Sequence, residues 1–383
     1  MTTWQVPLAD VRIPEEDVAA VAETYRSGWL SMGPRTQEFE AAFAAYTGAG
    51  RVLAVANGTA ALHLICLAAG FGPGDEVIVP SMTFVASVNA IAYTGARPVF
   101  ADIAGLDRPW LGADAAEAAI TPQTRGIMTV AYGGHPGETE ALRALCERRG
   151  LVLLEDAAHA AGARADGRHL GTFGAAGAFS FFSNKNLAVG EGGAIATSDE
   201  ALAERVRLLR SHGMTTLTWD RHRGHAAGYD VVDLGFNYRI DEARATLALR
   251  ALGRLDAQNA ARHRLDGRYR AALEGVDGVV PTAAPPAGGS DVPAHHLFTV
   301  VLDERLDRDA VRRSLAERGV QTSLHYPPVH RFSIYADDAP ELPLTVAYGA
   351  RAVTLPLFAH MSDAQQELVV ATLAEAVGTR VTV

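Results

Sequence analysis

The sequence predicts an α/β protein: a large unit built on a mainly parallel sheet, followed by a smaller C-terminal α+β unit. Three observations predict it. Short apolar runs alternate with helical patterns through the first two-thirds of the chain. The chain has 383 residues, 48% of them hydrophobic and 20% charged, which suits a globular protein of two to three domains. A segment rich in Pro, Gly and Ala, residues 280–293, precedes a tail of different pattern. The division is placed at 1–255 and 256–383, within a long helical stretch (242–271) that connects the two parts.

The elements follow in order. Residues 51–56 (RVLAVA) are a strand candidate and 59–69 a helix after it. Residues 76–80 (EVIVP) are the next strand, followed by a helical pattern over 84–93. Strands continue at 98–103, 126–132 and 151–155. An amphipathic helix over 138–149 ends at Gly150, a common stop. Residues 178–182 and 193–197 close the strand series, and Ser198 reads as the N-cap of a helix over 200–211. Strands alternating with helices imply βαβ units and a sheet covered on both faces. Beyond the linker come a strand at 296–302, a helix at 307–318, an apolar stretch at 321–326, and a helix at 362–377 capped by Ser362.

Composition excludes several classes. The formal charge of −10 argues against a general nucleic-acid or anionic-membrane binder. No apolar run of about 18 residues is present to span a bilayer, and the first residues lack the pattern of a signal peptide. The two cysteines, Cys66 and Cys146, make no disulfide framework, so a reducing, cytoplasmic compartment is expected. One fact is sharper. Of the 34 lysine and arginine residues, a single one, Lys185, is lysine. Coding bias explains the arginines. Arginine replaces lysine as a surface cation but not as a neutral amine, because guanidinium stays protonated.

Four constellations sit at the ends of predicted strands. Asn57-Gly58-Thr59 joins a strand to a helix, where free N–H groups and the helix dipole favour an anion such as phosphate; a simple capped turn is the plainer reading. Asp156 follows an apolar strand, where a carboxylate needs a partner such as a cationic ring nitrogen; it also fits an ordinary N-cap. If a helix starts there, His159 shares its face, as catalyst or as packed polar residue. Phe84, just past residues 80–83, can stack on a flat ring or pack in the core. Lys185 lies between two strands among aromatics and glycines, where low polarity depresses an amine's pKa. Strand alternation puts Ser180 on one face with Phe182, as a possible phosphate hydroxyl. An anion seat, a carboxylate, an aromatic face and one amine are the set pyridoxal 5'-phosphate (PLP) requires.

At these residues the chain resembles the DegT/StrS sugar aminotransferases, within the fold-type I PLP-dependent enzymes. The resemblance runs nearly the whole length: SGWLSMGP at 27–34, NGTAAL at 57–62, PSMTF at 80–84, EDAAHA at 155–160, FSFFSNKN at 179–186 with GEGG at 190–193, LGFNYR at 234–239, and HYPP at 325–328. It implies that Lys185 holds PLP as an internal aldimine, that Asp156 pairs with the pyridinium nitrogen, and that Phe84 stacks on the ring. It implies that His159 sits near the ring and its phenolic oxygen, and that Gly58, Thr59 and Ser180 take the phosphate. Asn237 matches an asparagine that reaches the phosphate of the neighbouring subunit, implying a homodimer with shared sites. Relatives with histidine in place of the lysine dehydrate sugars instead. Asn57 departs from a frequent serine.

The implied activity is transfer of an amine from an amino acid such as L-glutamate to a keto sugar, with the coenzyme cycling through pyridoxamine 5'-phosphate (PMP). Lysine suits the proton transfers because its pKa can fall toward the operating pH. The expected acceptor is nucleotide-linked. The segment Asp220-Arg221-His222-Arg223-Gly224-His225 is either a diphosphate seat or a solvated loop; His222 and His225 lack the companions of a metal site. His325 and His330 line the entrance or belong to a structural turn. Rival readings are a keto-cyclitol aminotransferase, as in aminoglycoside antibiotic biosynthesis, and a PLP-binding regulator without transamination. An oxidoreductase is disfavoured, since no clear G-x-G-x-x-G follows an early strand.

Overall fold

The computed structural model describes residues 4–216, 228–284, 289–337 and 340–379. Its strands are β1 (Arg51–Val55), β2 (Glu76–Pro80), β3 (Arg97–Ala101), β4 (Thr124–Val130), β5 (Val152–Asp156), β6 (Arg164–Ala165), β7 (Arg168–His169), β8 (Ala176–Ser180), β9 (Gly193–Thr197), β10 (Val279–Pro281), β11 (Phe298–Leu302) and β12 (Ala352–Leu355). The helices are α1 (Glu15–Arg26), α2 (Pro34–Thr47), α3 (Gly58–Ala68), α4 (Val85–Ala92), α5 (Ala113–Ala118), α6 (Thr139–Arg149), α7 (Glu200–Leu209), α8 (Glu242–Leu252), α9 (Leu255–Leu273), α10 (Arg308–Glu317), α11 (Pro343–Arg351) and α12 (Asp363–Ala376).

Seven strands form the central sheet in the order β1-β9-β8-β5-β4-β2-β3. Neighbours from β8 to β3 pair in parallel, and β9 alone runs against the rest. The expected mainly parallel sheet is therefore present. Alternate residues feed opposite faces. Leu53, Val77, Val79, Met128 and Leu154 pack under α3, α4 and α7. On the other face Val52 and Ala54 meet Phe39 and Phe43 of α2, while Ile78, Ile127 and Leu153 meet Leu142 and Leu145 of α6. This two-sided burial is why the strands read as continuous apolar runs. A second sheet, β10-β11-β12, is antiparallel and packs with α9, α10 and α12 around Phe298, Val300, Leu315 and Val369. Val6 near the N-terminus belongs to that C-terminal core and bridges to Val320.

Several local expectations shift. The long helix of 242–271 is two helices, α8 and α9, separated at Gly253 and Arg254, and glycine is a poor residue for a helix interior. The cap of α7 is Asp199, whose side chain accepts from Ala201 N and Leu202 N; Ser198 Oγ instead takes the N–H of Gly50. The strand placed at 178–182 lies at β8, two residues earlier, so Phe182 already belongs to the loop that carries Lys185. The stretch 321–326, read only as apolar, makes a single bridge from Ser323 to Thr354. Helices α1, α2, α5 and α11 and strand β12 were not read from the sequence. Cys66 and Cys146 are buried and free. Among the described residues no helix is long and apolar enough to cross a membrane.

Candidate active site

The C-terminal ends of β1, β2, β5 and β8 lie at one edge of the sheet, where α/β folds place ligands. A cavity of about 760 Å³ opens there, lined by Asn57, Gly58, Thr59, Phe84, Asp156, His159, Ser180 and Lys185, among others. Seven of the eight predicted cofactor residues thus converge. The eighth, Asn237, is exposed and does not line the cavity of its own chain.

The anion seat is built by a cap and a glycine. Asn57 Oδ1 accepts the N–H of Ala60 at 2.8 Å and starts α3. The N–H groups of Gly58 and Thr59 head that helix and have no intrahelical acceptor. A Cβ on residue 58 would stand 2.8 Å from Ser180 Cβ and 3.2 Å from its Oγ. Glycine therefore keeps open a narrow gap between the helix start and the Ser180 hydroxyl.

Asp156 is the last residue of β5 and is 5% exposed. Its carboxylate accepts from Ser87 Oγ at 2.6 Å and from Ala158 N at 3.0 Å. Burial raises its pKa, and these two hydrogen bonds work against the rise. The charge of Lys185 also acts to lower it. A buried carboxylate with donors on one side and open cavity on the other suits a cationic ring nitrogen.

No helix follows Asp156; residues 157–160 turn, with Ala160 N bonded to Ala157 O. The premise that a helix face joins Asp156 and His159 is thus replaced by a tight turn that still leaves both in the cavity. His159 Nδ1 accepts from Gly133 N at 3.2 Å, so in the neutral ring Nε2 carries the proton, facing Tyr326 Oη at 3.1 Å. Burial, then the nearby Lys185 and His325, hold its pKa well below the ordinary value.

Lys185 sits in the loop after β8, its N–H bonded to Phe182 O. Burial lowers the amine's pKa to about 8, against the opposing pull of Asp156. Its Nζ lies 3.5 Å from His296 Nε2. Phe84 precedes α4 and is 56% exposed, its ring 5.9 Å from that of Tyr326. A ring face is therefore free to stack on a flat ligand.

His325 lines the cavity, whereas His330 is buried, with Nδ1 2.6 Å from Ser81 Oγ, and belongs to a structural turn. The segment 220–225 lies outside the described residues. The sequence reading missed Ser87, although its place on the first turn of α4, three residues after Phe84, was a usable signal. It also missed His296, marked only by the His295-His296 pair before an apolar strand. Ser87 bonds Asp156 and His296 faces Lys185; the cavity residues themselves fit PLP, with donors for a phosphate at Gly58, Thr59 and Ser180, an anion for a ring nitrogen at Asp156, an aromatic face at Phe84 and an amine at Lys185. Among the described residues, no cluster of three His, Cys, Asp or Glu side chains is placed to hold a metal.

Comparison with known proteins follows the same line. The model of the DegT/DnrJ/EryC1/StrS aminotransferase family matches residues 11–374. The spore coat polysaccharide biosynthesis protein SpsC of Bacillus subtilis (strain 168) is 39% identical over 362 residues, 92% of this chain and 92% of its own length. Among solved structures, S. venezuelae DesV, in complex with a ketimine intermediate, matches with a TM-score of 0.89 at 38% identity, covering 99% of this chain and 100% of its own. Spr1654 of Streptococcus pneumoniae was solved in PMP and PLP forms. These match with TM-scores of 0.91 and 0.90 at 27% identity, covering 98% and 97% of this chain and 99% and 98% of theirs.

Proposed function

We propose, from the premise that the chain belongs to the DegT/DnrJ/EryC1/StrS aminotransferase family and is a PLP-dependent sugar aminotransferase of fold type I, that it aminates a nucleotide-linked keto sugar with an amino acid donor such as L-glutamate. The observation that carries this reading is one cavity holding both the Lys185 amine and the buried Asp156 carboxylate. Its volume of about 760 Å³ stands toward the large end of small-molecule pockets. That leaves room for an acceptor beyond the coenzyme.

In this reading Lys185 is the covalent attachment point. Gly58 N–H, Thr59 and the Ser180 hydroxyl would hold the phosphate, Phe84 would cover one ring face, and Asp156 would keep the ring nitrogen protonated. PLP, when bound, would supply a reactive aldehyde and an electron sink. Lys185, once displaced, moves the proton in each half of the reaction. An amine with a pKa of about 8 is suited to both taking and giving a proton near neutrality. His159 stays neutral and presents its Nε2–H toward Tyr326 at the cavity wall.

We further read the protein as a homodimer, divided near residue 255 into two domains, with Asn237 serving the partner's phosphate seat. The exposure of Asn237 outside its own cavity supports this, as does the neighbouring Leu234, 90% exposed. The test is a panel of nucleotide-linked keto sugars, free keto sugars and keto-cyclitols, each incubated with glutamate and read by mass spectrometry. Amination confined to the nucleotide-linked compounds supports the proposal. Amination of a keto-cyclitol alone overturns it.

A further inference from the structure

We propose that His296 is a positioning residue for Lys185: its Nε2 is the seat on which the Lys185 amine rests whenever that amine is not engaged with the coenzyme. The inference rests on the reading of Lys185 as the coenzyme lysine. His296 lies just before β11, 111 residues from Lys185 in sequence, yet its Nε2 is 3.5 Å from Lys185 Nζ. It is 5% exposed, and its backbone N–H is bonded to Gly133 O at 2.9 Å.

A hydrogen-bond chain decides which ring nitrogen carries the proton. Asn259 Nδ2 donates to the carbonyl of Ala161 at 2.9 Å, so Asn259 Oδ1 must face Asn186. Asn186 Nδ2 donates to that oxygen at 2.8 Å and to the carbonyl of Ala294 at 2.7 Å. Asn186 Oδ1 is then the atom 3.1 Å from His296 Nδ1. A carbonyl oxygen only accepts, so Nδ1 carries the proton and Nε2 presents a lone pair to Lys185. Two backbone carbonyls thus orient two amides, and the amides fix one tautomer.

The groups facing this pair come from several elements. Asp156 ends β5, His159 lies in the turn after it, His325 comes from the C-terminal part, and the charge of Arg262 of α9 acts on His296. Burial, then His159, Lys185 and Arg262, keep His296 neutral. His296 is therefore an acceptor for the amine in either of its protonation states. At 3.5 Å the bond is long and readily given up. That is suitable for an amine that must leave its seat in every cycle.

The solitary lysine makes the test direct. The full-chain enzyme is converted to its PMP form, which leaves Lys185 free. Acetic anhydride labelling of the Lys185 peptide is followed by mass spectrometry across pH. Two near-isosteric variants separate the functions of the ring: His296→Gln keeps an acceptor at the Nε2 position, and His296→Asn keeps only the contact to Asn186. Loss of an acceptor disfavours the charged amine, so His296→Asn should lower the labelling midpoint by roughly one unit, while His296→Gln stays close to the parent. Turnover should fall about tenfold or more in His296→Asn with KM little changed, and be largely retained in His296→Gln. Equal midpoints in all three proteins, or Asn behaving closer to the parent than Gln, overturns the proposal. Borohydride reduction of the PLP form separates the two levels. A tag on Lys185 with no midpoint shift sinks the role of His296 alone, whereas absence of the tag sinks the coenzyme reading and this inference with it.

Discussion

Ser87 Oγ donates to Asp156 Oδ2 at 2.6 Å, tying the first turn of α4 to the end of β5. Thr83 Oγ1, 2.7 Å away, is placed to donate to Ser87 in turn. The Asp156 carboxyl is pulled upward by burial and downward by Ser87 and Ala158 N. Removing the hydroxyl with Ser87→Ala leaves burial less opposed, so the carboxyl protonates at higher pH. Coenzyme affinity should fall about tenfold or more near neutrality, the effect of one hydrogen bond to a charged group. The acid limb of coenzyme binding should move to higher pH. Spectrophotometric titration of the apoenzyme with PLP measures both; an unmoved acid limb contradicts the assignment.

Lys185 accounts for a second expectation. Its pKa is lowered from 10.5 to about 8, so the neutral, proton-accepting amine is scarce below that value and predominant above it. The half-reaction that starts from the PMP form should therefore quicken as pH rises through about 8 and then level off. Asp156 raises the lysine's pKa, so Asp156→Asn should shift the midpoint downward. Single-turnover absorbance measurements read the profile. A rate still climbing toward pH 10 excludes the buried amine as the proton carrier.

Gly58 is required for space rather than for an unusual backbone angle. Alanine there would bring its Cβ within 2.8 Å of Ser180 Cβ, while α3 itself would gain slightly in propensity. Gly58→Ala should weaken coenzyme binding by about tenfold or more through displacement of one wall of the anion seat. The thermal stabilisation that coenzyme confers should shrink accordingly. Melting curves with and without PLP check this; unchanged stabilisation would exclude the proposed phosphate position.

The proposed sharing of sites between subunits is open to a complementation experiment. Lys185→Arg should abolish turnover while preserving the fold, since guanidinium cannot serve as a neutral amine. Asn237→Asp should lose most activity by placing a carboxylate at the partner's phosphate seat. Mixed subunits of the two variants contain one site with both lysine and asparagine intact, so mixing should restore a fraction of parental activity. Activity that never returns on subunit exchange, in a mixture verified by native mass spectrometry, refutes the assignment of Asn237.

Glu242 carries a stability expectation. It is 2% exposed and accepts from Gly33 N, Arg35 N, Thr36 N and Thr36 Oγ1 at 2.6–2.9 Å. Helix α2 has no side-chain cap of its own on Gly33, so a residue of α8 takes that place. Glu242→Ala strands several buried donors and should cost about 3 kcal/mol or more. The midpoint of urea unfolding measures it; a change under about 0.5 kcal/mol, the usual range of a surface substitution, would rule the capping role out.

The sequence alone determined the sheet, because buried strands are local apolar runs and their boundaries are local turns. Strands β2 and β9 match their expected limits residue for residue. It also named residues that the fold brings to one cavity. Asp156, Ser180, Phe84 and Gly58 each stand beside the end of their own strand, so one-dimensional position reports which rim they occupy. Lys185 was legible for a different reason: it is the only side chain of its kind.

Only the tertiary structure decided which groups tune those residues. Ser87 meets Asp156 across 69 residues, His296 meets Lys185 across 111, and Glu242 reaches the start of α2 across more than 200. No local pattern encodes such pairs. They arise when the packing of separate elements brings polar groups together out of water, and burial then makes each hydrogen bond obligatory. Hence the identity of the candidate groups is written along the chain, while their proton positions and the direction of their pKa shifts are set by the fold.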